Sequence, residues 1–239
     1  MNCTPRVVVV TVTFNGKRFL EDFFSSLLAT EQQGLELDIV MVDNGSTDGS
    51  VDWVRRNYPQ IRVLENDENN YARALNLGIA SSQGEYVVVT NNDATVHPDW
   101  LQGFLEVFQM DNKIGAVQSK IYFSGNNKIN SVGVEEIEHF YFRDIGFDDD
   151  DSVRYSQPKE REYVTGGSVM FRRECLEDVG DWDEEFIMFM EDVDYSVRCR
   201  KSGWKLFYAP RSILYHHYHG SSSDSMCDYF CTRNRFLFV

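Results

Sequence analysis

Apolar runs of strand length alternate along this chain with segments whose apolar residues recur at helical spacing. Residues Arg6–Thr13 (RVVVVTVT) are β-branched on both faces, the pattern of a parallel strand buried on both sides. After a turn at Asn15-Gly16, residues Phe19, Leu20, Phe23, Phe24, Leu27 and Leu28 fall on one helical stripe. A strand over 37–42 ends at Asp43, and Ser46 or Thr47 is placed to cap a helix through Trp53, Val54 and Tyr58. Strands over 61–64 and 85–90 flank a helix over 72–80 that Gly84 closes. This alternation predicts right-handed βαβ units, and so an α/β fold whose mainly parallel central sheet is flanked by helices.

The second half is less regular. It predicts a helix over 98–109, a strand over 115–123 and a strand over 168–171. Helices follow from Arg173 and over 190–202, then two short strands at 205–208 and 212–215 and a terminal helix from about 225. Between 124 and 161 the pattern dissolves into polar residues, strand-like fragments and the run Asp148-Asp149-Asp150-Asp151. We expect a mobile, solvated excursion there rather than a calcium site. Neither repeats nor linker-like composition interrupts the chain. We therefore expect a single domain over 1–239, with a nucleotide-binding half at about 1–95 and an acceptor and catalytic half at about 96–239.

Charge narrows the partners. Lys and Arg total 23 against 38 Asp and Glu, a formal net charge of -15 over 239 residues. Nucleic acid is excluded as a partner, because polyanion affinity needs clustered cations. An anionic ligand also requires a metal ion to reverse the local field. The five cysteines are scattered, with only Cys227 and Cys231 close, and read as free thiols of a reducing compartment. No signal pattern opens the chain and no run reaches the ~18 apolar residues of a membrane span. The expected location is cytoplasmic. The apolar finish Phe236-Leu237-Phe238-Val239 reads as an element cut short, which leaves open a longer chain with a membrane-facing tail.

Four polar stretches sit where apolar runs stop, and in open α/β sheets ligands bind at strand ends. In VDNGSTDGS (42–50), Asp43 and Asn44 can meet a nucleobase edge or ribose hydroxyls, while helix capping is the plainer role of such a turn. In TNNDA (90–94), Asp93 with Asn91 and Asn92 nearby offers oxygen ligands to Mg²⁺ or Mn²⁺. In MEDVD (190–194), Glu191 and Asp192 open a helix on which Asp194 and Arg198 lie one turn apart. In LYHHYHGSS (214–222), alternation places His217 and His219 on one face and His216 on the other. One of the three is a candidate ligand to metal or phosphate. We assign Gly166 and Gly167, with Arg233 and Asn234 of the run Arg233-Asn234-Arg235 in the aromatic terminal helix, to the acceptor or the diphosphate, a solvated helix end being the plainer role of that run.

Together with VVVVTVTFNG at 7–16, ARALNLGIASSQGEYVVVTNNDATVHPDWL at 72–101, the long match GGSVMFRRECLEDVGDWDEEFIMFMEDVDYSVRCRKSGWKLFYAP at 166–210 and YFCTRNRFLF at 229–238, these stretches resemble family 2 glycosyltransferases of the GT-A fold, especially the rhamnosyltransferase-like branch. The resemblance implies inverting, metal-dependent transfer of a sugar from a nucleotide diphosphate donor, rhamnose among the candidates, to a glycan or lipid-linked acceptor. It makes Asp93 a metal ligand, Asp192 of the Glu191-Asp192 pair the base, and His216 the later metal ligand. It matches Thr13, Asp43 and Asn44 to the nucleotide site, to which we also assign Asn91 and Asn92. It also implies work in polysaccharide and cell-envelope synthesis, at the inner face of the membrane where the acceptor is lipid-linked, and leaves a homo-oligomer open. Two positions depart from the family pattern: Asn91 stands in place of aspartate, and Asn70 in place of a glycine before the aromatic Tyr71. A sugar-1-phosphate nucleotidyltransferase would want a Gly-rich basic loop where this chain has TFNGKRF, and a non-catalytic sugar-nucleotide-binding module would not need Glu191-Asp192.

Overall fold

The computed structural model describes residues 4–217 and 224–238. The first half is built as β1 (Arg6–Thr13), α1 (Lys17–Leu28), β2 (Glu36–Asp43), α2 (Ser50–Asn57), β3 (Arg62–Glu65), α3 (Tyr71–Ala80) and β4 (Tyr86–Asn91). The chain continues through β5 (Ala94–Val96), α4 (Trp100–Phe108), β6 (Ile114–Phe123), β7 (Ile129–Ser131), β8 (Val134–Glu138), β9 (Tyr141–Asp144) and β10 (Lys159–Arg161). It closes with β11 (Ser168–Arg172), α5 (Arg173–Val179), α6 (Glu191–Lys201), β12 (Lys205–His216) and α7 (Asp224–Asn234).

The main sheet runs β10-β12-β6-β11-β4-β1-β2-β3. Strands β4, β1, β2 and β3 are parallel, as are β6 and β12. Antiparallel pairing is confined to β11 and the short strands β5, β7 and β10 in this sheet. The β-branched run of β1 divides by parity. Val7 and Val9 pack under α1 and α4, with Phe23, Phe24, Trp100 and Phe104. Val8, Val10 and Val12 pack under α3, α5 and α6, with Ala72, Leu75, Leu176 and Tyr195. A three-layer architecture follows directly from that two-sided burial. Among the described residues no helix is long and apolar enough to cross a membrane.

Three local expectations are corrected. The 124–161 stretch is not a solvated excursion: Ile129, Val132 and Tyr155 form a small core of their own with Tyr122 and Tyr208, and β8 pairs with β9. Its acidic run is held by cations, with Asp151 on Lys120 at 2.9 Å, Asp150 on Lys128 at 3.0 Å and Asp149 on Arg154 at 3.1 Å. The two short strands at 205–208 and 212–215 are one strand, β12, with a bulge between Ala209 and Ile213 where Pro210 has no N–H to give the ladder. Neither Ser46 nor Thr47 caps α2, which starts after Gly49 in a left-handed conformation (φ 80°). Instead Asn15 N donates to Ser46 Oγ and Thr47 N to Asn15 Oδ1, tying this turn to the one after β1.

Candidate active site

Register brings the polar strand ends level. Thr13 pairs with Asp43, and the preceding Val12 pairs with Asn91, so the ends of β1, β2 and β4 form one edge. Asp43 is buried, and its Oδ2 accepts from Gly45 N (3.2 Å) and Ser46 N (2.9 Å). Its Oδ1, with Thr13 Oγ1 and Asn92 Nδ2, is buried with no hydrogen-bond partner among the described residues. A buried polar atom left in that state costs about 1–3 kcal/mol, so three along one edge make that edge the candidate place for a polar ligand or ordered water. Gly16 completes the cradle: a Cβ there would lie 2.8 Å from Thr13 Oγ1 and 3.0 Å from Asn92 Nδ2. Asn44 is used differently. Its Oδ1 accepts from Asn66 Nδ2 at 2.7 Å and its Nδ2 donates to Asn69 Oδ1, so it shapes the wall from the loop after β3.

Past β4, the backbone turns so that Asp93 meets the end of β12. His216 Nε2 lies 3.1 Å from Asp93 Oδ1, and His216 Nδ1 lies 3.0 Å from Asn130 Oδ1. With Nδ1–H donating to the amide oxygen, the Nε2 lone pair faces a carboxylate oxygen. A shared cation satisfies two electron-pair donors placed in this way, and an oxygen acceptor behind the ring is the usual support of a metal-ligating imidazole. Among the described residues no group of three or more His, Cys, Asp or Glu side chains is placed to hold a metal. Asp93 and His216 therefore fit an ion such as Mg²⁺ or Mn²⁺ that takes its remaining ligands from water and substrate phosphates. His217 is turned away, its ring stacked on Phe19 at 5.6 Å while its N–H donates to Asp93 O. His219 and the Gly-Ser turn lie outside the described residues.

The third group stands at the start of α6. Asp192 Oδ2 accepts from Gly166 N at 2.8 Å and its Oδ1 from Val193 N at 2.8 Å. Gly166 lies in ordinary contact with this group: a Cβ would sit 3.5 Å from Asp192 Cβ. Gly167 lies on the β4 side, its carbonyl accepting from Asn91 N. Glu191 is buried and its Oε2 has no partner among the described residues. Burial, then the charge of Asp192, pushes the Glu191 carboxyl up to about 8. Burial also raises Asp192, against the hydrogen bonds from Gly166, Val193 and Thr165 that favour its charged form. At neutral pH the better-solvated charge of this pair belongs on Asp192.

Two residues missed in the sequence link these groups. The Tyr71 hydroxyl donates to Asn91 Oδ1 at 3.4 Å, and its pKa is raised well above the usual value by burial and then by Glu191, Asp192 and Asp93. Asp144, at the end of β9, is raised to about 6 by burial, partly offset by a hydrogen bond with Ser131, and it feels both Asp192 and His216. Tyr71 and Asp144 thus place Asp192 and the Asp93–His216 pair in one polar neighbourhood. The aromatic position that opens α3 was a visible signal for Tyr71; Asp144 lies in the stretch expected to be a solvated loop. Arg233 and Asn234 contact backbone: Arg233 Nη1 donates to Glu185 O, and Asn234 Nδ2 to the carbonyls of Phe186, Met188 and Phe189.

Comparison with known proteins bears on this arrangement. The family model described as Glycosyl transferase family 2 matches residues 8–180. N-acetylglucosaminyl-diphospho-decaprenol L-rhamnosyltransferase of Mycobacterium tuberculosis is 29% identical over 246 residues, covering 92% of this chain and 79% of that protein. A crystal structure of GalNAc-T7 with UDP, GalNAc and Mn²⁺ superposes with a TM-score of 0.75 at 16% identity, over 93% of this chain and 46% of that one. The mannosyltransferase PcManGT from Pyrobaculum calidifontis, in complex with GDP-Man and Mn²⁺, gives a TM-score of 0.65 at 22% identity, over 90% of this chain and 58% of that one. This chain therefore spans about half the length of those two structures, and the likeness to them is one of fold.

Proposed function

This chain belongs to glycosyl transferase family 2 and is a glycosyltransferase, and we propose that it moves a sugar, with inversion, from a nucleotide diphosphate donor to an acceptor hydroxyl with the help of a divalent metal. Membership of this family sets aside the nucleotidyltransferase and the non-catalytic binding module. The carrying observation is the contact of Asp93 with His216, 123 positions apart in sequence, beside a strand edge with three partnerless buried polar atoms. In this reading residues 1–95 hold the nucleotide and 96–239 serve the acceptor. Rhamnose as the sugar and a lipid-linked intermediate as the acceptor are supported by the name of the mycobacterial relative. A lipid-linked acceptor would place the reaction at the inner face of the membrane, in envelope polysaccharide synthesis.

The chemistry follows from the side chains. Asp43 Oδ1, Thr13 Oγ1 and Asn92 Nδ2 receive the nucleotide, and Gly16 gives its phosphates room. A Mg²⁺ or Mn²⁺ ion held by Asp93 and His216 would supply Lewis-acid stabilisation of the departing diphosphate. Asp192, oriented by Gly166 N and Val193 N, takes the proton of the attacking hydroxyl, and burial raises its proton affinity for that task. Glu191, held mostly protonated, leaves Asp192 as the single charged base, which fits one in-line displacement rather than a covalent intermediate.

Nucleotide sugars screened with Mn²⁺ or Mg²⁺ test this reading, by nucleoside diphosphate release and by thermal stabilisation. Asp192→Asn should keep the stabilisation by metal and nucleotide while losing transfer by about 10²–10⁴-fold. Undiminished transfer by Asp192→Asn, or pyrophosphate as the released product, would overturn it.

A further inference from the structure

Asn234 is fully buried in α7, beyond the stretch that the family model matches, and its side chain faces the backbone just before Glu191. That backbone is strained. Ile187 (φ 63°), Phe189 (φ 64°) and Met190 (φ 68°) all occupy the left-handed region, where a β-branched residue such as Ile187 is an outlier. Met188 N donates to Phe186 O at 2.7 Å across Ile187, closing a tight turn of the rare γ type. Three non-glycine residues hold such angles only if the surroundings over-determine them.

The surroundings are two clamps. On one side Asn70, the N-cap of α3, donates through Nδ2 to Glu184 O at 2.9 Å, and Tyr71 N and Ala72 N both donate to Ile187 O. On the other side Asn234 Nδ2 lies 2.8, 2.9 and 2.7 Å from the carbonyls of Phe186, Met188 and Phe189. Arg233 Nη1 donates to Glu185 O at 2.7 Å and to Asn234 Oδ1 at 2.6 Å, so the carboxamide is fixed at both ends. The turn leads directly into α6, whose first two residues are Glu191 and Asp192.

We infer that Asn234 is a positioning residue for the transfer reaction: by tying the three carbonyls of the strained turn it sets the entry of α6 and the aim of Asp192. This rests on the role of Asp192 proposed above. Asn234 is fully buried with its carboxamide spent on the backbone carbonyls and on Arg233, so its loss should lower turnover and leave donor binding alone. An isosteric Asp at this position has no N–H to give, and a Ser has a single shorter donor.

Asn234→Asp and Asn234→Ser are to be compared with the unaltered chain by amide hydrogen exchange, without any ligand. Residues 187–194 should exchange about tenfold faster or more, as expected for lost hydrogen bonds, while β1 and β4 stay as protected as before. With the donor found by the nucleotide-sugar screen, kcat should fall by about 10²-fold, the usual effect of a misplaced catalytic group. The donor KM, and the thermal shift given by UDP or dTDP with Mn²⁺, should be unchanged. Unaltered exchange over 187–194, or unaltered kcat, would overturn the inference. Should neither variant fold, the side-chain NH₂ protons of Asn234 in the unaltered chain decide it by NMR: slow exchange with solvent supports the clamp and fast exchange refutes it. If Asp192→Asn instead keeps its activity, the functional reading fails, while the exchange data still report on the clamp.

Discussion

Glu191 and Asp192 are adjacent acids whose carboxylates meet different surroundings. Asp192 receives two backbone N–H groups, whereas Glu191 Oε2 receives nothing from the described residues. The Glu191 carboxyl is accordingly the harder to ionise, pushed up to about 8. Below its ordinary value of 4.5 the proton is bound in both folded and unfolded chains, and ionisation costs the fold nothing. As pH rises from there toward about 8, the unfolded chain ionises freely while the folded one resists, so stability declines. Asp192, and Asp144 at about 6, act in the same direction. Asp48, Asp111 and Asp151 are lowered, so their opposite contribution is complete once the pH is well above 4. The ligand-free protein should therefore melt at a lower temperature at about pH 8 than at about pH 5, and Glu191→Gln should flatten that slope. Parallel slopes for the two proteins in a thermal melt series would show that Glu191 is not held protonated.

At the scale of elements, the bulge in β12 decides where His216 arrives. Ala209 pairs with Ser119 and Ile213 with Lys120, so residues 210–212 loop out of the ladder with β6. The loop is held from within by Ser119, whose hydroxyl lies 2.8 Å from Ser212 Oγ and accepts from Trp100 Nε1 at 3.0 Å. From outside, α4 closes on it so tightly that a Cβ on Gly103 would lie 2.3 Å from Ser212 N. Gly103→Ala must push helix and strand apart. We expect a loss of roughly 1–3 kcal/mol, read as a lower melting temperature, together with a higher Mn²⁺ requirement as His216 shifts against Asp93. An unchanged metal requirement would separate the bulge from the site. The bulge also shows the reach of sequence reasoning. Alternation and β-branching located β1, β2 and β4, because strands buried on both faces carry the signal in every residue. Pro210 marked a break but not its kind, since whether a strand ends or bulges is decided by its neighbour β6. The apolar runs pointed to the stretches that hold Asp93, Asp192 and His216, but Asp192 over Glu191, and His216 among the three histidines, came only from the family resemblance. Asp144 was not legible, because its burial depends on β8 and β9 folding back over a site built from distant segments, and Asn234 reads as polar helix surface until the 184–190 turn is laid against it.

For the whole molecule, the difficulty is binding an anion to a chain of net charge -15. The site adds to the problem, for Asp43 and Asp93 lie at the edge of the sheet with Asp192 near them at the start of α6, and buried charges are screened far less by salt than surface charges. In the proposed function the partnerless atoms of Asp43, Thr13 and Asn92 would recognise a nucleoside without neutralising any charge, and Arg233 is engaged with Glu185 O and Asn234. Affinity for the diphosphate, in that proposed function, comes through a cation, with Asp93 and His216 as its protein ligands. Nucleoside and nucleoside diphosphate should consequently differ in their metal dependence. UDP or dTDP at about 100-fold above its Kd should stabilise the fold by about 2.7 kcal/mol when Mn²⁺ or Mg²⁺ is present. For a chain of this size that is a rise of about 5–10 °C in melting temperature. EDTA should abolish most of that rise, and Asp93→Asn should reproduce the effect of EDTA with metal present. Uridine or thymidine should give a smaller shift that EDTA leaves alone. A diphosphate shift of full size in EDTA would mean that protein groups alone neutralise the phosphates, and the roles given to Asp93 and His216 would fall with it.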